Sequence, residues 1–207
     1  MTQNRRNRSK VIGLTGSIAT GKSTVSKLLA RLGAVIIDAD KVAREIVQTG
    51  EQALEEIVEY YGEDILLEDG SLDRKKLGKI VFNDPEKLEK LNEITHPKII
   101  QRILDRVHRI SNKYDGAVIV IDAALLIEMN FQRYVDEVWV VTLSKEMQIN
   151  RLMKRDQIKA KEAQNRIEAQ MSSEEKSKYA DEIIDNSGNL EELEKDIMKL
   201  WRRIKIN

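Results

Sequence analysis

One short loop constrains this chain more than any other feature. Gly16-Ser17-Ile18-Ala19-Thr20-Gly21-Lys22-Ser23 reads Gly-x-x-x-x-Gly-Lys-Ser/Thr, a P-loop. An apolar, strand-like run at 11–14 leads into it and a helical run at 25–32 leads out, the setting the motif requires. Glycines let the backbone curl so that successive N–H groups point inward as an anion nest. The positive end of the following helix then faces the bound anion. In such a loop Lys22 reaches the β- and γ-phosphates and the Ser23 hydroxyl can ligate Mg²⁺. The loop therefore implies a nucleoside triphosphate site at the carboxyl end of the first strand of an α/β sheet.

Composition limits what surrounds the loop. The 207 residues suit one α/β domain with an elaboration and are enough to bury a core without crosslinks. There is no cysteine, which excludes disulfides, thiolate nucleophiles and cysteine metal clusters. Charged residues make up 34% of the chain and cancel to a formal net charge of zero. That balance argues against a nucleic-acid partner, since no broad basic surface is expected. No apolar stretch nears the roughly 20 residues of a membrane span, and nothing calls for an obligate protein partner. Positions 1–10 are polar and basic (Arg5, Arg6, Arg8, Lys10), read as a flexible tail rather than a secretory signal. The expected location is cytoplasmic.

Short β-rich runs alternate with helical ones, predicting a parallel sheet with crossover helices. Strands are expected at 11–15, 34–38, 117–122, 137–142 and 182–185, with a helix at 22–32 ending before Gly33. The run Ala-Val-Ile-Val-Ile-Asp at 117–122 is apolar throughout, as a strand buried on both faces should be. Near the C-terminus Leu190, Leu193, Ile197, Leu200, Trp201 and Ile204 recur at helical spacing and predict a packing stripe. Two helical stretches are too long for simple crossovers. They give a core at about 11–39, 116–143 and 180–207, a helical insert at about 40–115, and a lid at about 144–179. Asp84-Pro85 predicts a helix start inside the insert, and His96-Pro97 a break between two helices. A P-loop kinase places its acceptor-binding domain and its lid at these points.

Carboxylates and arginines supply the remaining chemistry. Asp38-Ala39-Asp40 closes the second predicted strand, at the carboxyl ends of the strands where ligands bind in a parallel sheet. Either aspartate can cap the next helix, and one can orient and deprotonate an acceptor hydroxyl. Asp122 ends a strand of four apolar residues, a Walker B pattern suited to Mg²⁺ or its waters. Arg151 and Arg155 lie one turn apart on one lid face, where guanidiniums can stabilise a transferring phosphoryl group. The two histidines lack metal-ligand spacing with any other such residue. A GTPase-type switch protein is the competing class, because Asn112-Lys113-Tyr114-Asp115 and Asp185-Asn186-Ser187-Gly188 mimic two of its motifs. Their order is reversed, and Asn112 follows a helical run instead of a strand, so the first reads as a turn before 117.

From residue 11 to about 193 the pattern resembles the dephospho-CoA kinase family. The motifs that carry it are Ile-Gly-Leu-Thr-Gly…Gly-Lys-Ser-Thr at 12–24, Ile-Asp-Ala-Asp at 37–40, and Leu-Asp-Arg at 72–74. Val-Phe-Asn-Asp-Pro at 81–85, Thr-His-Pro at 95–97 and Leu-Leu…Glu at 125–128 follow. The series ends with Gln148…Arg151…Arg155-Asp156…Arg166…Gln170 and Ile184-Asp185-Asn186…Gly188. The resemblance implies a three-layer P-loop NTPase fold with a central parallel sheet, a helical acceptor-binding insert and a helical lid. It implies transfer of the ATP γ-phosphate to the ribose 3′-hydroxyl of dephospho-CoA, with Mg²⁺. Asp40, Lys22 and Arg155 would be catalytic; Gly16, Ser17, Ala19, Thr20, Gly21, Lys22, Ser23 and Thr24 would hold ATP. Arg151, Asn186 and Gly188 would also lie against ATP, the last two near its adenine. Thr15, Asp40, Arg74 and His96 would face the acceptor, and Ser23 with Asp122 would hold the metal. Another small-molecule or nucleotide kinase is the alternative within the fold. The family loop usually reads Gly-Gly-Ile-Gly-Ser-Gly-Lys, so here Ala19 must adopt the backbone angles of a glycine. Ala123-Ala124-Leu125-Leu126-Ile127-Glu128 replaces Val-Pro-Leu-Leu-Phe-Glu.

Overall fold

A computed structural model describes residues 8–206, so the tail expected at the N-terminus lies outside the described residues up to position 7. Lys10 does not belong to that tail. It opens strand β1 (Lys10–Thr15), its N–H donating to the Ala117 carbonyl at 2.9 Å and its ammonium 3.1 Å from Glu137. Pairing with an acidic neighbour lets a basic residue begin the strand where solvation was expected.

Four more strands follow: β2 (Val35–Asp38), β3 (Val118–Asp122), β4 (Glu137–Thr142) and β5 (Glu182–Asp185). They form one sheet in the order β2-β3-β1-β4-β5. β1 pairs in parallel with β3, Ile12 opposite Val120, and with β4, Leu14 opposite Trp139. β4 pairs in parallel with β5. Parallel neighbours need crossovers, and both faces are therefore covered. One face of β1, β3 and β4 presents Ile12, Leu14, Val118, Val120, Trp139 and Val141. These pack with Val25, Leu28 and Leu29 of α1 (Lys22–Arg31) and Leu193, Ile197 and Ile204 of α9 (Leu190–Ile206). Each such side chain, fully buried, contributes about 1.5–3 kcal/mol. Leu190 is the exception to the predicted α9 stripe: as the first residue of the helix it is 56% exposed. On the opposite face Leu126 is buried beneath Gly13, where an added Cβ would come within 2.6 Å of its Cδ1.

The chain divides into two compact units, one of the described residues through Ile37 and from Val107 onward, the other Asp38–Arg106. The second unit holds α2 (Ala39–Glu45), α3 (Gln52–Tyr61), a 3₁₀ turn at Glu63–Ile65, α4 (Arg74–Val81) and most of α5 (Pro85–Lys113). Its core includes Val42, Ile46, Leu54, Ile57, Ile65, Leu77 and Ile103. The expected break at His96-Pro97 does not occur, and α5 runs through Pro97. Proline removes one helix bond there. Ile94, Ile99 and Ile103 stay buried on one face across it, and the Thr95 hydroxyl donates to the Leu91 carbonyl at 2.8 Å. Burial of that stripe outweighs the lost bond.

In the first unit, three helices follow β4: α6 (Lys145–Asp156), α7 (Ala160–Glu168) and α8 (Ser173–Ser177). Ser144 caps α6, and Ser172 with Glu175 forms the capping box read from the sequence. Leu152, Ala163 and Ile167 make a small core between α6 and α7. Among the described residues no helix is long and apolar enough to cross a membrane.

Candidate active site

The loop from Gly16 to Ser23 joins β1 to α1. Gly21 sits at the helix N-cap with φ 92°, a left-handed conformation that glycine adopts without cost. Gly16 is packed so closely that a Cβ would meet the Val141 carbonyl at 2.7 Å. Thr20 closes the curl, its hydroxyl donating to the Ser17 carbonyl at 2.9 Å and its N–H to the same oxygen at 3.3 Å. The Lys22 ammonium donates to the Asp122 carboxylate at the end of β3, so the parallel pairing of β1 and β3 unites the two motif residues. Ser23, in the first turn of α1, is exposed, and Thr24 donates its N–H back to the Gly21 carbonyl at 2.8 Å.

Ala19 takes φ 63°, the left-handed angle the sequence required of it. A side chain there costs roughly 1–2 kcal/mol. Its methyl, with Ile18, packs on the Leu152, Ala163 and Ile167 cluster of the lid. Two further bonds tie loop to lid: the Ile18 N–H donates to Gln170 Oε1 at 3.0 Å, and the Ser17 hydroxyl to the Met171 carbonyl at 2.9 Å. The sequence motif contained Gln170, but no spacing rule gave it a role.

The two lid arginines are placed differently. Arg151 is half-buried and donates to the Thr20 carbonyl at 3.5 Å and the Asn186 carbonyl at 3.0 Å. Asn186, past the end of β5, is buried and donates Nδ2 to the Thr20 carbonyl at 2.7 Å. Arg151, Asn186 and the loop thus form one connected group. Arg155 points to solvent and is bonded to its neighbour Asp156 at 2.7 and 3.1 Å. That hydrogen bond raises the Arg155 pKa and lowers that of Asp156. Gly188 is exposed beyond Asn186, and a Cβ there would meet the Glu192 carboxylate.

Thr15, buried at the end of β1, donates its hydroxyl to the Ala124 carbonyl at 3.1 Å. The same carbonyl accepts the Lys176 ammonium at 2.8 Å, and Lys176 also donates to both Glu128 oxygens at 2.8 Å. Lys176 is completely buried. Burial pulls its pKa below the ordinary lysine value, with the Glu128 hydrogen bond opposing. Sequence reading missed this residue among the lid's many cations. Its signal is faint: a lysine three positions after buried Ser173, on the inward face of a one-turn helix.

In the second unit, Asp38 caps α2, accepting the Lys41 N–H at 2.9 Å, and Asp40 is exposed in its first turn. Arg74 begins α4 and donates to the Arg44 carbonyl at 3.3 Å; burial, with the Arg44 charge, lowers its pKa. It lines an apolar cavity of about 270 Å³ together with Val47, Leu77, Val81, Phe82 and Leu91. His96 is half-buried on α5, one residue after the cavity-lining Thr95, and desolvation lowers its pKa.

Serine and aspartate oxygens at Ser23 and Asp122 are hard donors suited to a small divalent ion. Among the described residues no three His, Cys, Asp or Glu side chains cluster as a metal cage. Such an ion would take its other ligands from phosphate and water, which Mg²⁺ tolerates well.

Similarity to known proteins agrees with this geometry. Residues 10–192 match the family model "CoaE: Dephospho-CoA kinase". A dephospho-CoA kinase from Listeria innocua is 46% identical over 94% of this chain and 96% of its own. Among solved structures, the dephospho-CoA kinase from Campylobacter jejuni superposes with a TM-score of 0.71 at 32% identity, covering 94% of this chain and 96% of that one. TT1252 from Thermus thermophilus superposes with a TM-score of 0.79 at 29% identity, covering 95% and 98%. Loop, sheet order and sequence match converge, and the chain belongs to the dephospho-CoA kinase family.

Proposed function

We propose that this enzyme transfers the γ-phosphoryl group of ATP to the ribose 3′-hydroxyl of dephospho-CoA, yielding coenzyme A and ADP. The observation that carries the proposal is the P-loop whose Lys22 meets Asp122, in a chain matched to the family over 10–192. Loop amides and Lys22 bind the β- and γ-phosphates, Lys22 exchanging its carboxylate partner for phosphate oxygen. Mg²⁺, when bound by Ser23 and Asp122, supplies charge neutralisation on the β- and γ-oxygens. Arg151 supports the loop carbonyl at Thr20, while Arg155 leaves Asp156 to meet the transferring group. Asn186 and Gly188 border the adenine.

On the acceptor side, Asp40 orients the 3′-hydroxyl and takes its proton as the new P–O bond forms. Thr15, next to the P-loop, faces the acceptor end of the site, and Arg74 supplies positive charge for the acceptor's pyrophosphate. The apolar cavity lined by Arg74 suits the acceptor's pantetheine arm, and His96, whose desolvation disfavours the charged ring, stands one residue from its lining at Thr95. Catalysis is then positioning and electrostatics, with the lid excluding water.

The test is Mg²⁺-dependent ADP release with dephospho-CoA set against adenosine, AMP and CMP. Turnover with dephospho-CoA alone supports the proposal. Preference for a nucleoside or nucleotide would void the acceptor-side roles.

A further inference from the structure

A buried lysine outside the P-loop has no part in the chemistry above. Taking an ammonium from water costs several kcal/mol unless its bonds are replaced. Lys176 replaces all three: two with Glu128 and one with the Ala124 carbonyl. Both partners lie in the turn that follows Asp122. Ala123 binds that turn to β1, its N–H donating to the Leu14 carbonyl at 3.0 Å, and Thr15 donates to Ala124 from the residue before the P-loop. Leu126 anchors the same turn under Gly13. The Ala124 carbonyl is therefore a junction between the end of β1, the turn after β3 and the helix that closes the lid. Glu128 keeps a quarter of its side chain exposed, whereas Lys176 has none, so the lysine depends wholly on this turn for its bonds.

We propose that Lys176 is a positioning residue for phosphoryl transfer: it clamps the 123–128 turn and so holds Asp122 and the entry to the P-loop in register. This inference rests on the kinase reading, but its readouts separate the two. A buried charge held by three bonds tolerates few arrangements, so the clamp also makes lid helix α8 report on the turn.

The experiment compares Lys176→Met, Glu128→Gln and the double variant in the full chain, with Mg²⁺-ATP and dephospho-CoA varied independently. Thermal unfolding and near-ultraviolet circular dichroism establish that each variant is folded at the assay temperature. Lys176→Met should lower kcat by about tenfold or more, the scale on which outer supports of a metal site act. KM for ATP should change by less than about threefold, because the loop amides remain. Glu128→Gln should lower kcat severalfold, and the double variant should match Lys176→Met, since both act through one turn. Folded Lys176→Met with wild-type kcat, or multiplicative losses in the double variant, would overturn the proposal. If Lys176→Met does not fold, Glu128→Gln decides: unchanged kcat refutes the clamp, and a severalfold loss at constant KM sustains it. Absence of turnover in the wild type would instead fault the kinase reading.

Discussion

Replacing Gly21 with alanine tests whether the loop is held by the two interactions assigned to it. The backbone there has φ 92°, and an added Cβ would lie 2.0 Å from Asn186 Nδ2. Left-handed backbone costs a residue with a Cβ roughly 1–2 kcal/mol. The clash must drive Asn186 away, breaking its 2.7 Å bond to the Thr20 carbonyl. Loss of that buried bond adds about 1 kcal/mol. Gly21→Ala should thus destabilise by about 2–3 kcal/mol, which lowers Tm by roughly 4–12 °C in a chain of this length. The two terms can be separated. Asn186→Ala already lacks the bond and opens the space, so in that background Gly21→Ala should cost only the backbone term, roughly 1–2 kcal/mol. Urea denaturation of the four proteins measures the coupling, expected near 1 kcal/mol. Additive costs, or a Gly21→Ala change below about 0.5 kcal/mol, would refute the packing argument.

Further predictions concern charge. Lys22→Ala should remove phosphate binding and lower kcat/KM for ATP by at least about a hundredfold, whereas Asp40→Ala should abolish transfer with ATP binding retained; calorimetric titration with ATP beside turnover assays distinguishes them. Arg151→Ala should lower both Tm and ATP affinity because Arg151 joins Thr20 to Asn186, while Arg155→Ala should slow transfer with Tm nearly unchanged. His96 has a folded pKa below its reference value of 6.5, since desolvation disfavours the charged ring. The unfolded chain therefore binds its proton first, and stability falls as pH drops below about 6.5 toward the lower folded value. The difference in Tm between wild type and His96→Gln should open over that interval; a pH-independent difference would show that the ring titrates normally.

The sequence carried the parallel sheet well, because β3 and β4 are apolar on both faces and their periodicity leaves no competing element. The loop was legible for a similar reason: φ 92° at Gly21 and φ 63° at Ala19 are what the motif's geometry demands. Pro97 misled because a local rule favours a helix break, and only the buried stripe of Ile94, Ile99 and Ile103 shows why α5 continues. Spacing put Arg151 and Arg155 on one face but had no means of telling which would reach the loop. That depends on β5 delivering Asn186 to the same place, a contact 35 residues from Arg151. Lys176 was hardest to see, since a lysine in a charged helical segment reads as solvated. Its burial follows from a carbonyl and a carboxylate that lie 52 and 48 residues away.

The central claim is the position of the transferred phosphate. Incubation with γ-labelled ATP, Mg²⁺ and dephospho-CoA, followed by a 3′-specific nucleotidase, tests it most directly. The account predicts label in coenzyme A that the nucleotidase releases completely, with unlabelled dephospho-CoA regenerated. Label that resists the nucleotidase, or appears only as inorganic phosphate, would contradict it.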